Sequence, residues 1–111
     1  MPLRYTDDPA APESVQDVAE KYVIFYASRG EDGKMWCPDC VEVEDVVEKK
    51  FAGADGPSGL IVRVGQRAEW KTPKNPFRGE PWKVGSIPTI IRVEDGARLV
   101  LDEIRDGLAS F

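Results

Sequence analysis

The run YVIFYAS, residues 22–28, constrains the fold of this chain more than any other stretch. It is apolar at successive positions and rich in β-branched and aromatic side chains. A strand with no polar face must be covered on both sides, so this one belongs at the centre of a sheet. A chain of 111 residues can bury one modest core around it, which predicts a single domain over residues 1–111.

The neighbouring segments predict what covers that strand. Ahead of it, after a polar and proline-marked lead, Val15, Val18, Ala19 and Tyr22 recur at helical spacing. They predict a short amphipathic helix over 12–22, with Pro12 in its first turn. After it, RGEDGK is a glycine-broken loop that leads to Cys37 and a helical pattern reaching about Ala52. LIVRV, residues 60–64, is the next strand. The stretch 65–86 has three prolines and no sustained period, and predicts a loop with one or two short helical turns. TIIRV and RLVL, joined through Asp95-Gly96, predict an antiparallel hairpin. DEIRDGLAS closes the chain as a short helix with Ile104 and Leu108 facing inward. This order fits a three-layer α/β/α sandwich with a central mixed sheet and a C-terminal β-hairpin plus helix.

Both cysteines of the chain, Cys37 and Cys40, stand two residues apart in WCPDC. The opening MPLRYTDDPAAPE has no apolar core, and no window has the length of apolar residues that a membrane span needs. A cytoplasmic, reducing location is the expectation, and there a close cysteine pair is more often catalytic or metal-binding than structural. Zinc needs three or four ligands, whereas the chain has two cysteines and no histidine. No metal is therefore expected. A static disulfide closing so small a loop removes little chain entropy.

Position explains the pair better. Cys37 falls where loop hands over to helix, with Pro38 suited to the first turn, and unpaired N–H groups there stabilise a thiolate. Cys40 continues into Val43, Val47 and Phe51 at spacings of three, four and four, which places it on the buried face. An exposed, activated thiol beside a sheltered one is the asymmetry that thiol–disulfide exchange requires. Asp39, Glu42 and Glu44 oppose a second anion nearby. The expected Cys37 pKa therefore lies below the ordinary thiol value without being extreme. About fifty residues downstream, GSIPTIIRV places Ile87-Pro88-Thr89 at a strand start. It is either a trans strand-start proline or, in company with WCPDC, a cis-proline loop beside the cysteines.

WCPDCVEVEDVV, VGQRAEWKTPKNPFR and VGSIPTIIRV resemble the Clot family of cytosolic thioredoxin-like proteins, over roughly residues 15–105. The resemblance implies a thioredoxin fold. It also implies reduction of small or accessible disulfides of the cystine kind, S-nitrosothiols and some protein disulfides. Electrons would come from NADPH through thioredoxin reductase. By matching positions, Cys37 is the nucleophile and Cys40 the resolving thiol, framed by Trp36, Pro38, Asp39, Ile87 and Pro88. No cofactor is bound; the redox centre is the Cys37–Cys40 disulfide. A monomer that binds neither nucleic acid nor membrane is expected. Two rivals stay open: a glutathione-dependent glutaredoxin-like reductase, favoured by C-P-x-C but not by I-P-T, and a non-catalytic redox-sensing module. One departure from thioredoxins concerns YVIFYAS, which has no carboxylate where thioredoxins usually bury an aspartate, so either Asp39 or water takes the resolving proton or the step is slower. The other is a short final helix.

Charge is distributed unevenly. The chain carries a net −5, which argues against nucleic-acid binding, yet residues 62–83 hold Arg63, Arg67, Lys71, Lys74, Arg78 and Lys83 against Glu69 and Glu80. This is either a solvated loop anchored by Trp70 and Phe77, or a basic substrate rim of Trp70, Lys71, Lys74 and Arg78 that attracts carboxylate-bearing disulfides.

Overall fold

The structure, a computed structural model, describes residues 3–6, 19–52, 57–79 and 82–111. Five strands form one mixed sheet in the order β1-β3-β2-β4-β5. They are β1 (Leu3–Tyr5), β2 (Tyr22–Tyr26), β3 (Gly59–Arg63), β4 (Thr89–Arg92) and β5 (Arg98–Val100). The apolar run is the middle strand, as expected. β2 runs parallel to β3, with Tyr22 opposite Gly59 and Tyr26 opposite Arg63. On its other side it is antiparallel to β4, which forms the predicted hairpin with β5.

The sheet's two faces are covered differently because successive side chains of β2 alternate. Tyr22 points to the face of α1 (Pro38–Ala52), where its ring meets Phe51 edge-on at 5.5 Å. Phe25 points the other way and packs on Phe77 and Trp82, each at 5.8 Å between ring centres. The long segment 65–86 thus helps to build the second layer. It contains α2 (Arg67–Trp70) and a 3-10 turn, Pro76–Arg78, which are the short helical turns predicted for it. The chain ends in α3 (Asp102–Gly107), continued by the 3-10 turn Leu108–Ser110, with Ile104 and Leu108 fully buried.

α1 is the element that carries the cysteines. Proline at its first position has no N–H to waste and a φ already suited to the helix. Cys40, Val43, Val47 and Phe51 form its inner stripe, each at most 3% exposed. Each such valine or phenylalanine stabilises the fold by about 1.5–3 kcal/mol relative to exposure. Gly59 lets β3 pass beneath this helix: a Cβ there would lie 2.9 Å from Ile24 and 3.0 Å from Phe51.

Two differences from expectation concern the N-terminal part. Most of the helix expected over 12–22 lies outside the described residues, but its end is not helical, since Tyr22 already opens β2. Within the polar lead, Leu3–Tyr5 is a strand, pairing in parallel with β3 through Leu3 and Gly59. Three residues carry too little periodicity to announce a strand; a partner 56 positions away makes it one. Among the described residues, no helix is long and apolar enough to cross a membrane.

Candidate active site

The tip of α1, α2 with the turns that follow it, and the stretch from Gly85 to Ile87 meet at one groove of about 760 Å³. Trp36, Cys37, Pro38 and Asp39 line it together with Arg67, Trp70, Lys71, Arg78, Ser86 and Ile87.

Trp36 is held from below. Its indole Nε1 donates to the Gly65 carbonyl at 2.9 Å, while the Gly65 N–H donates to Ser28 Oγ at 3.0 Å. Gly65 has φ +110°, and a Cβ on it would come within 2.9 Å of Glu69, so only glycine suits this junction. The Arg67 guanidinium covers Trp36 from above, 5.0 Å from the ring centre, and donates to the Trp36 carbonyl at 3.3 Å.

The two cysteines are not bonded to each other in this structure. Cys40 is fully buried, and Cys37 keeps 6% exposure. The expected asymmetry therefore holds only in degree. Cys37 is not an exposed thiol but sits low in the groove, its Sγ 3.8 Å from the Ile87 carbonyl oxygen. The Ile87–Pro88 peptide is cis.

The electrostatics separate the two sulfurs. The Cys37 pKa falls from its ordinary value to about 6. Foremost is the hydrogen bond from the Cys40 thiol, which outweighs desolvation; the backbone N–H groups of Cys40 and Asp39 add to it, and the Asp39 charge opposes it. Of these, the helix end and Asp39 were legible in the sequence, but the leading cause was not. Cys40 moves the other way, because donating to Cys37 and burial both favour its neutral form, while a hydrogen bond from the Ala27 backbone favours the thiolate.

On the strand that lacks a carboxylate, the side chain that senses the Cys40 charge is Tyr26. Burial pushes its hydroxyl's pKa up, and that hydroxyl has no hydrogen-bond partner among the described residues. Arg63 lies beneath, only 6% exposed, 5.5 Å from the Tyr26 ring centre and bonded to the Ala27 carbonyl at 3.1 Å.

The expected basic rim divides. Lys71 and Arg78 line the groove with Cys37, whereas Lys74 lines a separate cavity beside Asn75 and Phe77. Trp70 and Phe77 are buried anchors, at 4% and 2% exposure. Arg78 stacks 4.0 Å above the Trp70 ring and donates to the Trp70 carbonyl at 2.7 Å. Anchoring and a basic groove wall are thus the same construction.

Two contributors escaped the sequence reading. Arg67 was one charge among six there, and nothing local links it to Trp36. Asn75 holds the segment together: its Nδ2 donates to the Val64 and Glu69 carbonyls, and its Oδ1 accepts from Phe77 N–H. An asparagine directly before proline is a capping signal that could have revealed it.

The chain is similar to known proteins. The model of the family described as thioredoxin domain-containing protein 17-like, thioredoxin domain, matches residues 5–107. The human Thioredoxin domain-containing protein 17 is 35% identical over 83 residues, covering 74% of this chain and 67% of that protein. Its counterpart from Epinephelus coioides is 32% identical over 97 residues, 82% of this chain and 78% of that one. The Thioredoxin-like protein Clot of Oryza sativa subsp. japonica is 34% identical over 84 residues, 69% of this chain and 60% of its own length.

Proposed function

Given that this chain belongs to the family of thioredoxin domain-containing protein 17-like thioredoxin domains, we propose that it is a thiol–disulfide oxidoreductase that reduces small or accessible disulfides through Cys37 and Cys40. The observation that carries this is a pair of cysteines at the tip of α1, with Cys37 lining the groove beside the Ile87 carbonyl and Cys40 buried behind it, an arrangement that favours the Cys37 thiolate.

In the proposed cycle the Cys37 thiolate attacks one sulfur of the substrate disulfide. The substrate S–S bond breaks, a mixed disulfide forms, and the departing thiolate takes a proton from water. Cys37 is then no longer an anion, so the hydrogen bond that held the Cys40 proton is lost, while the Ala27 N–H still favours the Cys40 thiolate. Cys40 loses its proton to water or Asp39 and attacks Cys37 Sγ. The Cys37–Cys40 disulfide forms and the second product thiol leaves. Two electrons pass from protein to substrate. An NADPH-dependent thioredoxin reductase is the proposed donor that restores the dithiol.

The test uses single-cysteine variants incubated with a disulfide. Cys37→Ser should abolish reduction, and Cys40→Ser should accumulate a mixed disulfide on Cys37, both read by mass spectrometry. Trapping on Cys40 instead would reverse the roles. Turnover with NADPH and thioredoxin reductase, compared with NADPH, glutathione and glutathione reductase, separates this function from a glutaredoxin-like one. Turnover with neither donor favours a redox-sensing module.

A further inference from the structure

We infer that the groove beside Cys37 is an anion site that selects disulfides with a carboxylate next to the sulfur, and that Arg67 and Lys71 are the residues that select them. The inference rests on the oxidoreductase function proposed above and names its substrate class.

The chain has 20 acidic against 15 basic side chains. Arg4, Arg29, Arg92 and Arg105 meet a carboxylate at 2.7–2.9 Å, whereas Arg98 meets only backbone carbonyls. What sets the groove apart is that its uncompensated cations share one cavity with a thiol. Among the described residues, Arg67, Lys71 and Arg78 meet no carboxylate, although all three line the cavity that holds Cys37.

The two arginines are held without being neutralised. Arg67 rests on the Trp36 indole and uses Nη2 on a backbone carbonyl. Arg78 rests on Trp70 and uses Nε and Nη1 on carbonyls of Trp70 and Gly85. An indole face and a carbonyl oxygen orient a guanidinium but carry no net charge. Each arginine therefore keeps its full positive charge in a fixed place. Lys71, with no partner among the described residues, adds a mobile one.

Among the described residues, Asp39 is the one acid lining this groove, and it lies two positions from Cys37. A disulfide entering with its sulfur at Cys37 thus meets Arg67, Lys71 and Arg78 in the lining of the same groove, within which a carboxylate on a short arm would lie. A groove of about 760 Å³ suits a small molecule. A carboxylate borne by a flexible acidic protein segment offers the same chemistry, and size dependence separates the two sources.

The experiment is a single turnover of the reduced, full-length chain. Dithiodiglycolate and the neutral bis(2-hydroxyethyl) disulfide, matched in length, are each mixed with it, and loss of thiolate ultraviolet absorbance is followed. Each rate is divided by the rate of the same disulfide with free dithiothreitol, which removes intrinsic reactivity. Both reactions move two electrons from the dithiol to the disulfide, and the two thiol protons end on the products.

The anionic disulfide should be favoured about tenfold at low salt, as expected for three cations steering one anion. The preference should shrink as salt rises. Arg67→Gln with Lys71→Gln should bring the normalised ratio down to about two, the remainder coming from Arg78, and Arg67→Lys should retain most of the preference, because charge rather than fork geometry is at work. Lys71→Gln alone, which breaks no contact among the described residues, should still lower the ratio by about threefold. A ratio near one in the parent, or an undiminished ratio in the double variant, overturns the anion site. An anionic preference that appears only with a carboxylate-flanked disulfide in a peptide, and not with dithiodiglycolate, overturns the small-molecule assignment. No reaction with either disulfide removes the oxidoreductase function itself, and this inference with it.

Discussion

Replacing Cys40 by alanine tests the electrostatics of the pair most directly, because the Cys40 thiol is the foremost cause of the low Cys37 pKa. A hydrogen bond to an ionised acceptor is worth about 1.5–3 kcal/mol, which corresponds to about 1–2 pKa units. The variant should therefore titrate at about 7–8 instead of the parent's value of about 6. Reactivity at neutral pH is a poor readout of this shift. A rise of about 1.5 units lowers the thiolate fraction at pH 7 by about fourfold, but the more basic thiolate is about fivefold more nucleophilic, so the two effects nearly cancel. At about pH 5.5 the thiolate loss dominates and the variant should alkylate about fivefold more slowly than the parent. At about pH 9 both thiols are ionised and the variant should be about fivefold faster. Iodoacetamide alkylation across this pH range, with thiolate absorbance as a direct titration, should show the two curves crossing near neutrality. Cys40→Ser, whose hydroxyl can still donate, should stay closer to the parent. If Cys40→Ala still titrates at about 6, the helix end and its amides hold the thiolate, and the role given to the Cys40 proton is refuted.

Other substitutions have simpler outcomes. Asp39→Asn removes the charge that opposes the Cys37 thiolate while the backbone N–H stays, so the pKa should fall by less than about one unit and the pair should become more oxidising; titration and equilibration with a glutathione buffer measure both. Asn75→Ala leaves two carbonyls and one N–H without their side-chain partner and should cost about 2–3 kcal/mol in urea unfolding, with a change in Trp70 fluorescence as the groove wall loosens. Gly59→Ala drives a methyl group against Ile24 and Phe51 and should destabilise by about 1–3 kcal/mol in the same assay, while the Cys37 titration should stay in place.

Local pattern alone determined much of this protein. The unbroken apolar run of 22–28 required a central strand, and β2 is central. The spacing of Cys40, Val43, Val47 and Phe51 defined the inner face of α1, and all four are buried. The Asp95-Gly96 turn set the hairpin of β4 and β5. These features were legible because strand alternation, helical period and turn chemistry are properties of residues a few positions apart.

What decided the site acts across distance. β1 exists because Leu3 meets Gly59. Arg67 matters because the fold lays it on Trp36, 31 residues earlier, and Trp36 is in turn fixed by Gly65, 29 residues later. Cys37 was expected to stand exposed at a helix tip, and it lies low in the groove because the Ile87 carbonyl, 50 positions on, approaches its sulfur. Even between neighbours in WCPDC, spacing could say that the second thiol is buried but not that it donates its proton to the first. That depends on where α1 sits against the end of β2, just past which the Ala27 backbone reaches Cys40. A sequence pattern specifies which face a side chain occupies, whereas a pKa or an uncompensated charge depends on every group the fold brings within a few ångströms, and only the tertiary structure sets those distances.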